Sequence, residues 1–188
     1  MLLLVSGSTR GASTNTATLR TVLEVVPAGT VAALYEGLAL LPAFNPDDDR
    51  DPLPEPVARL RDQIDQADAI VFCTPEYAGS LPGSFKNLLD WTVGGTGIYR
   101  KPVAWINVAA EGRGGGADET LRVVLGYVGA VVVEDACTRM PVGRELVGPG
   151  GVISSRPVRD RLSEVVASLV EHVRASPEGD LGRQAGPA

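Results

Sequence analysis

Two clusters of residues hold most of the chemistry this sequence can offer. The first is Ser6-Gly7-Ser8-Thr9-Arg10-Gly11-Ala12-Ser13-Thr14-Asn15-Thr16. A phosphate here can accept bonds from the hydroxyls of Ser8, Ser13 and Thr16, from the Asn15 amide and from Arg10. Each charge-assisted bond contributes about 1.5–3 kcal/mol. Hydroxyls at a helix start also serve as plain N-caps, but so many phosphate-capable side chains beside two glycines exceed what a cap requires. The cluster lacks the G-x-G-x-x-G of a dinucleotide fingerprint and the G-K-[ST] of a Walker A loop. It holds no cysteine to serve as a phosphatase nucleophile. A phosphate that is bound but not cleaved fits best.

The second cluster is Thr74-Pro75-Glu76-Tyr77-Ala78-Gly79-Ser80-Leu81-Pro82, with a glycine loop, Gly112-Arg113-Gly114-Gly115-Gly116, further on. Glycines let backbone approach a ligand closely. Other candidates are weaker. His172, the only histidine, falls late in the last helical stretch, where it suits the helix dipole better than catalysis. Asp47-Asp48-Asp49 are consecutive in a Pro-rich loop without a nearby histidine, which reads as a solvated acidic turn rather than a metal site. No Ser/His/Asp triad can be assembled. Cys73 and Cys137 form no CxxC and follow apolar stretches, so buried free thiols are expected rather than a disulfide.

The elements that must position these clusters alternate along the chain. Short apolar runs at Leu2–Val5, Thr30–Tyr35, Ala69–Cys73, Pro102–Ala109 and Val131–Val133 read as strands. Amphipathic stretches read as helices over Thr14–Val26, around Val57, Leu60, Ile64 and Ala67, from Pro82 through Phe85, Leu88 and Leu89, over Ala117–Val128, and along Leu162 to Val173. Ala69–Cys73 is apolar throughout, as suits a parallel strand buried on both faces. Five strands alternating with five helices predict a doubly wound α/β fold with right-handed crossovers. Residues 1–174 are expected to form a single domain, Arg139 to Arg156 a long Gly- and Pro-rich loop, and residues 175–188 a flexible tail.

Composition narrows the function. The 188 residues are 44% hydrophobic and 21% charged, with a formal net charge of −6. That balance suits a globular chain and argues against a nucleic-acid partner, whose phosphates require a basic face. No apolar run approaches the roughly 18 residues of a membrane span. Met1–Val5 is too short for a signal peptide and lacks a basic start. A cytoplasmic location is expected.

Together the Gly-Ser-x-Arg-x-x-Ser-x-Asn loop and the second cluster resemble the NAD(P)H-dependent FMN reductase family of flavodoxin-like folds. That family carries Pro-Glu-Tyr-Asn-x-Ser-x-Pro, then Lys-Asn, then Asp-Trp. Pro75, Glu76, Tyr77, Ser80, Pro82, Lys86, Asn87, Asp90 and Trp91 match. Leu41 to Asp47 and Gly112 to Gly116 resemble its loops after strands two and four. The resemblance covers about residues 1–135, with Ala78 standing where the family has Asn and Ala110 where it often has Ser. It implies a parallel sheet of order 2-1-3-4-5 with helices on both faces, and FMN at the switch point between strands one and three. FMN would be held by Ser8, Arg10, Ser13, Asn15, Thr16, Pro75, Glu76, Tyr77, Ala78, Gly79, Ser80, Gly112, Gly115 and Gly116. One compact phosphate site favours FMN over FAD.

The resemblance further implies NADPH or NADH as electron donor, with the nicotinamide stacking on the flavin and passing hydride to N5. The acceptor would be a flavin, a quinone, an azo dye or a metal oxyanion. No side chain is expected to act as acid or base, because the flavin carries the chemistry. Lys86-Asn87 and Asp90-Trp91 lie on a helix and are expected to pack or pair, with Trp91 a candidate subunit contact in a homodimer or homotetramer. Two rival readings are a flavodoxin-like electron carrier that takes electrons from a protein, and a flavin-free regulatory or assembly protein suggested by Ala78.

Overall fold

A computed structural model of the chain describes residues 1–175. Its strands are β1 (Leu2–Ser6), β2 (Ala32–Tyr35), β3 (Ala69–Cys73), β4 (Pro102–Asn107), β5 (Val131–Val132) and β6 (Thr138–Arg139). The helices are α1 (Thr14–Val25), α2 (Glu55–Gln66), α3 (Gly83–Asp90), α4 (Gly115–Tyr127) and α5 (Arg156–Ala175). The sheet is parallel and runs β2-β1-β3-β4-β5, as expected.

Side-chain alternation along the central strands splits the core into two layers. Leu3, Val5, Ile70, Phe72, Val103 and Trp105 face α2, α3 and α4. Leu2, Leu4, Val71, Cys73, Ala104 and Ile106 face α1 and α5. All residues of β1, β3 and β4 are buried. This is why these strands read as continuous apolar runs, and a fully buried leucine or valine contributes about 1.5–3 kcal/mol. No described helix is long and apolar enough to cross a membrane.

Several expectations need correction. The loop expected from Arg139 starts inside β6, which pairs with β4 at Ile106 and Asn107. The 3-10 turn Glu134–Ala136 lifts the chain off the sheet after β5, and Thr138 and Arg139 resume the same edge. Two residues without an apolar run leave no periodic signal for a strand. A second 3-10 turn, Arg144–Leu146, lies in the same stretch.

Second, Trp91 is fully buried, so it presents no surface to a subunit. Its Nε1 donates to the Pro42 carbonyl at 2.9 Å, and its ring meets Phe44 edge-on at 4.9 Å between centroids. Asn87 completes the clasp on this loop, donating to the Pro42 carbonyl and accepting from the Phe44 N–H.

Third, the acidic turn is not wholly solvated. Asp49 accepts from Arg61 at 2.7 Å, with both side chains only 15% exposed, while Arg61 also donates to the Trp91 carbonyl.

Cys73 is a buried free thiol, and burial raises its pKa well above the ordinary thiol value. Cys137 is free but only half-buried, less enclosed than expected, and its pKa is pushed up to about 11, again mainly by burial. His172 lies in the last turn of α5. Ala175, expected in the tail, ends that helix, and the remainder of the expected tail falls outside the described residues.

Candidate functional site

Ser6 of β1 and Cys73 of β3 are partners in register, so the two clusters leave the sheet side by side at its carboxyl edge. The Gly7 N–H donates to the Cys73 carbonyl at 2.9 Å. A Cβ on Gly7 would overlap the Thr74 hydroxyl, which explains the glycine. Below this seam the Cys73 thiol donates to Asn15 Oδ1 at 3.4 Å.

The first loop is built by its own polar side chains. Ser6 Oγ accepts from the Ser8 N–H, and Ser8 Oγ from the Arg10 N–H. Ser13 is the N-cap of α1, its hydroxyl accepting from the Thr16 N–H at 3.4 Å. Thr16 Oγ1 sits 2.8 Å from Ser6 Oγ. Ser13 and Asn15 are buried, whereas Arg10, Gly11 and Ala12 are exposed. Capping leaves the Thr14 and Asn15 N–H groups without an intrahelical partner, at the positive end of the helix dipole. No acidic residue stands in this loop.

The second cluster is built differently. Tyr77 and Ser80 exchange both backbone hydrogen bonds, at 2.9 and 3.0 Å. Ala78 and Gly79 between them have φ of 51° and 74°. This is the pattern of a two-residue type I′ hairpin. Asn and Gly accept the left-handed region most readily, so the family's Asn suits this turn, and Ala78 occupies it at some cost.

The hairpin seats on the first turn of α4. The Ala117 N–H donates to Glu76 Oε2 at 3.2 Å. Ser80 and Thr120 hydroxyls lie 3.2 Å apart, and Thr120 donates to the Gly116 carbonyl at 2.7 Å. A Cβ on Gly116 would overlap the Gly79 carbonyl. Pro75 and Glu76 are half-buried, Tyr77, Ala78 and Gly79 exposed, and Ser80 half-buried. Gly112 is exposed in the turn before α4 with φ of 75°, and Gly115 opens that helix.

Sequence reasoning missed the group that shapes the glycine loop. Asn107, buried at the end of β4, donates to the Gly114 carbonyl at 3.0 Å and to Asp118 Oδ2 at 2.8 Å. Its Oδ1 accepts from the Ala109 N–H, and Arg139 of β6 pairs with Asp118 at 3.1 Å. A polar residue closing an apolar strand was the available signal.

The sheet order, with both clusters at its switch point, defines the flavodoxin-like class. A phosphate-bearing flavin fits what is present: free N–H groups and Arg10 on one side, and an exposed backbone ledge at Ala78–Gly79 on the other. Known proteins agree. The model of the NADPH-dependent FMN reductase family matches residues 1–141. A quinone reductase of Pseudomonas putida is 34% identical over 142 residues, 73% of each chain. An NAD(P)H-dependent FMN reductase of Pseudomonas aeruginosa is 40% identical over 87 residues, 46% of each chain. Among solved structures, FerB, a flavoenzyme NAD(P)H:(acceptor) oxidoreductase from Paracoccus denitrificans, superposes with a TM-score of 0.73 at 28% identity, covering 92% of this chain and 96% of that one. The chain belongs to the NADPH-dependent FMN reductase family. It is thus an oxidoreductase, with FMN and NAD(P)H as its cofactors.

Proposed function

We propose that this protein passes electrons from NADPH or NADH, through FMN, to a small-molecule acceptor that meets the same flavin face as the nicotinamide. A flavin, a quinone, an azo dye or a metal oxyanion would serve, and the quinone reductase of Pseudomonas putida lends weight to the quinone. The observation that carries this reading is the hairpin held on α4: Glu76 on the Ala117 N–H and Gly116 against the Gly79 carbonyl leave an exposed ledge beside the phosphate loop.

Each part of the chain has a task in this reading. Arg10 offsets the phosphate charge, and Ser8, Ser13, Asn15 and Thr16, with the first N–H groups of α1, orient the phosphate. Pro75 to Ser80 would hold the polar edge of a bound flavin ring. Gly112 and Gly115 would let backbone come close to it, whereas the open side of Gly116 is taken up by the Gly79 carbonyl. Glu76 positions the hairpin through α4. Bound there, FMN would supply the redox chemistry between the nicotinamide and the acceptor. No side chain moves a proton.

Residues 1–174 act as one unit in the cytoplasm, where nicotinamide donors are at hand. The protein works as a homodimer or homotetramer. Val123 and Tyr127, one turn apart on α4, are both exposed, as is Tyr99, which packs over Gly129 just past that helix. Light scattering of the purified protein measures the assembly.

The test of function is a flavin spectrum of the purified protein, with steady-state oxidation of NADPH and NADH against flavin, quinone, azo and chromate acceptors. Turnover with parallel double-reciprocal plots is expected, because one face serves donor and acceptor alternately. Intersecting plots contradict the shared face, and no nicotinamide oxidation with any acceptor contradicts the reading.

A further inference from the structure

A cleft of about 450 Å³ lies on the α1 and α5 side of the sheet, between the start of α1 and the segment 144–151. Arg10, Arg20 and Arg144 all line it, and among the described residues no acidic side chain does. None of the three pairs with a carboxylate among the described residues, whereas Arg59, Arg61, Arg122, Arg139 and Arg159 each do. Three guanidiniums around one cleft, with no carboxylate partner among the described residues, are unexpected on a chain whose formal net charge is −6. They mark it for an anion, and arginine suits phosphate in particular.

The cleft is a built feature. Val147 and Ile153 form an antiparallel bridge, closed by Gly148 N–H to the Val152 carbonyl and Gly151 N–H to the Gly148 carbonyl, both at 2.9 Å. This turn is fastened to α1 by a buried bond from the Ile153 N–H to Thr21 Oγ1 at 2.8 Å. Gly151 has φ of 71°, and a Cβ there would lie 3.0 Å from the Arg20 guanidinium. The glycine turn thus runs directly under Arg20.

Arg20 lies two helical turns beyond Ser13, about 10 Å along α1. A phosphate seated on the N-cap is therefore remote from the Arg20 backbone, and a ligand with phosphates at separate places engages both ends better than one with a single phosphate. Resting on the nicotinamide reading above, we propose that Arg20 and Arg144, with Arg10 at the shared edge, recognise the 2′-phosphate of NADPH and so favour NADPH over NADH.

The experiment uses the full chain and the double variant Arg20→Gln/Arg144→Gln. Calorimetric titration of the FMN-loaded proteins with 2′,5′-ADP should show binding to the parent that weakens roughly 10- to 150-fold in the variant, the range for lost charged hydrogen bonds. Binding of 5′-AMP should be equal in both proteins. The kcat/KM for NADPH should fall by a similar factor while that for NADH stays within about twofold. FMN affinity of the apo-proteins should not change. Failure of the parent to bind 2′,5′-ADP, or equal binding by parent and variant, overturns the proposal. So does a matching loss of FMN affinity, which would assign the cleft to the flavin phosphate. If neither nicotinamide is oxidised by the parent, the functional reading fails, and the 2′,5′-ADP titration still decides the cleft.

Discussion

The loop at residues 8–16 and the hairpin at residues 75–80 leave neighbouring strands at the same edge, yet they are built on opposite principles. The loop depends on side chains: hydroxyls bond to nearby backbone and Arg10 stands exposed with no acidic partner among the described residues. The hairpin depends on backbone: two residues at positive φ, and a glycine on α4 that lets the turn sit down. Charge and donors can be exchanged on the first surface with the fold intact. The second tolerates polar changes but little added volume where the turn meets the helix.

The harshest way to break that contrast is Gly116→Val. Its side chain would drive the Gly79 carbonyl off α4, and overpacking of this kind costs about 1–3 kcal/mol. Thermal unfolding should drop by roughly 2–10 °C for a chain of this size, with weaker FMN binding alongside. A variant that melts and binds like the parent would show that the hairpin is not seated on this glycine.

Arg10→Ala tests the other region. Loss of the only side-chain cation in the loop should weaken FMN by about 1.5–3 kcal/mol, or roughly 10- to 150-fold. Riboflavin, which lacks the phosphate, should bind parent and variant alike. Titrations with both flavins check this, and an FMN affinity within about twofold of parent would remove Arg10 from the phosphate site.

Glu76→Ala sharpens the comparison. It removes the acceptor for the Ala117 N–H, and loss of such a helix-start bond costs about 1 kcal/mol. Glu76→Gln keeps an acceptor and loses only the charge–dipole part, about 0.3–1 kcal/mol. Denaturant titration should rank parent above Gln above Ala. If the two variants are equal, the carboxylate is not acting as a cap.

Ala78→Gly should raise stability by about 0.5 kcal/mol. Relief of a left-handed alanine, worth about 1–2 kcal/mol, outweighs the added freedom of the unfolded chain, about 0.4–1 kcal/mol. Chemical denaturation measures this gain, and a loss would mean that the turn is not strained at Ala78.

The seam between the regions shows the smallest effect. Burial raises the Cys73 pKa, so its thiol stays protonated in the native state above the ordinary thiol range. The associated stability is fully present below the unfolded thiol pKa and is lost only as pH rises beyond it. Iodoacetamide at pH 9 should leave Cys73 unmodified until the protein is unfolded, as read by peptide mass analysis. Rapid native alkylation would show that the seam opens.

Legibility followed the same division. The strands at Leu2, Ala69 and Pro102 and the stripes of α2 and α5 were readable, because burial on both sheet faces or one helix face leaves a periodic mark. The polar loop between β1 and α1 was readable because Ser, Thr, Asn and Gly clustered after an apolar run mark a turn and an N-cap. β6 was not, since two residues carry no period. Nor was the group of Asn107, Asp118 and Arg139, whose members come from a strand end, a helix start and another strand.

Residue order alone thus determined the alternation of strands and helices, their parallel burial and the polar loop after β1, because periodicity and side-chain type are local properties. Tertiary structure decided the rest. It set Gly116 under Gly79 and put Trp91 in the core beneath Pro42. It also gathered Arg10, Arg20 and Arg144 around one cleft. Each of these depends on segments distant in sequence meeting in space, and hydrogen bonds and excluded volume between such segments leave no local pattern to read.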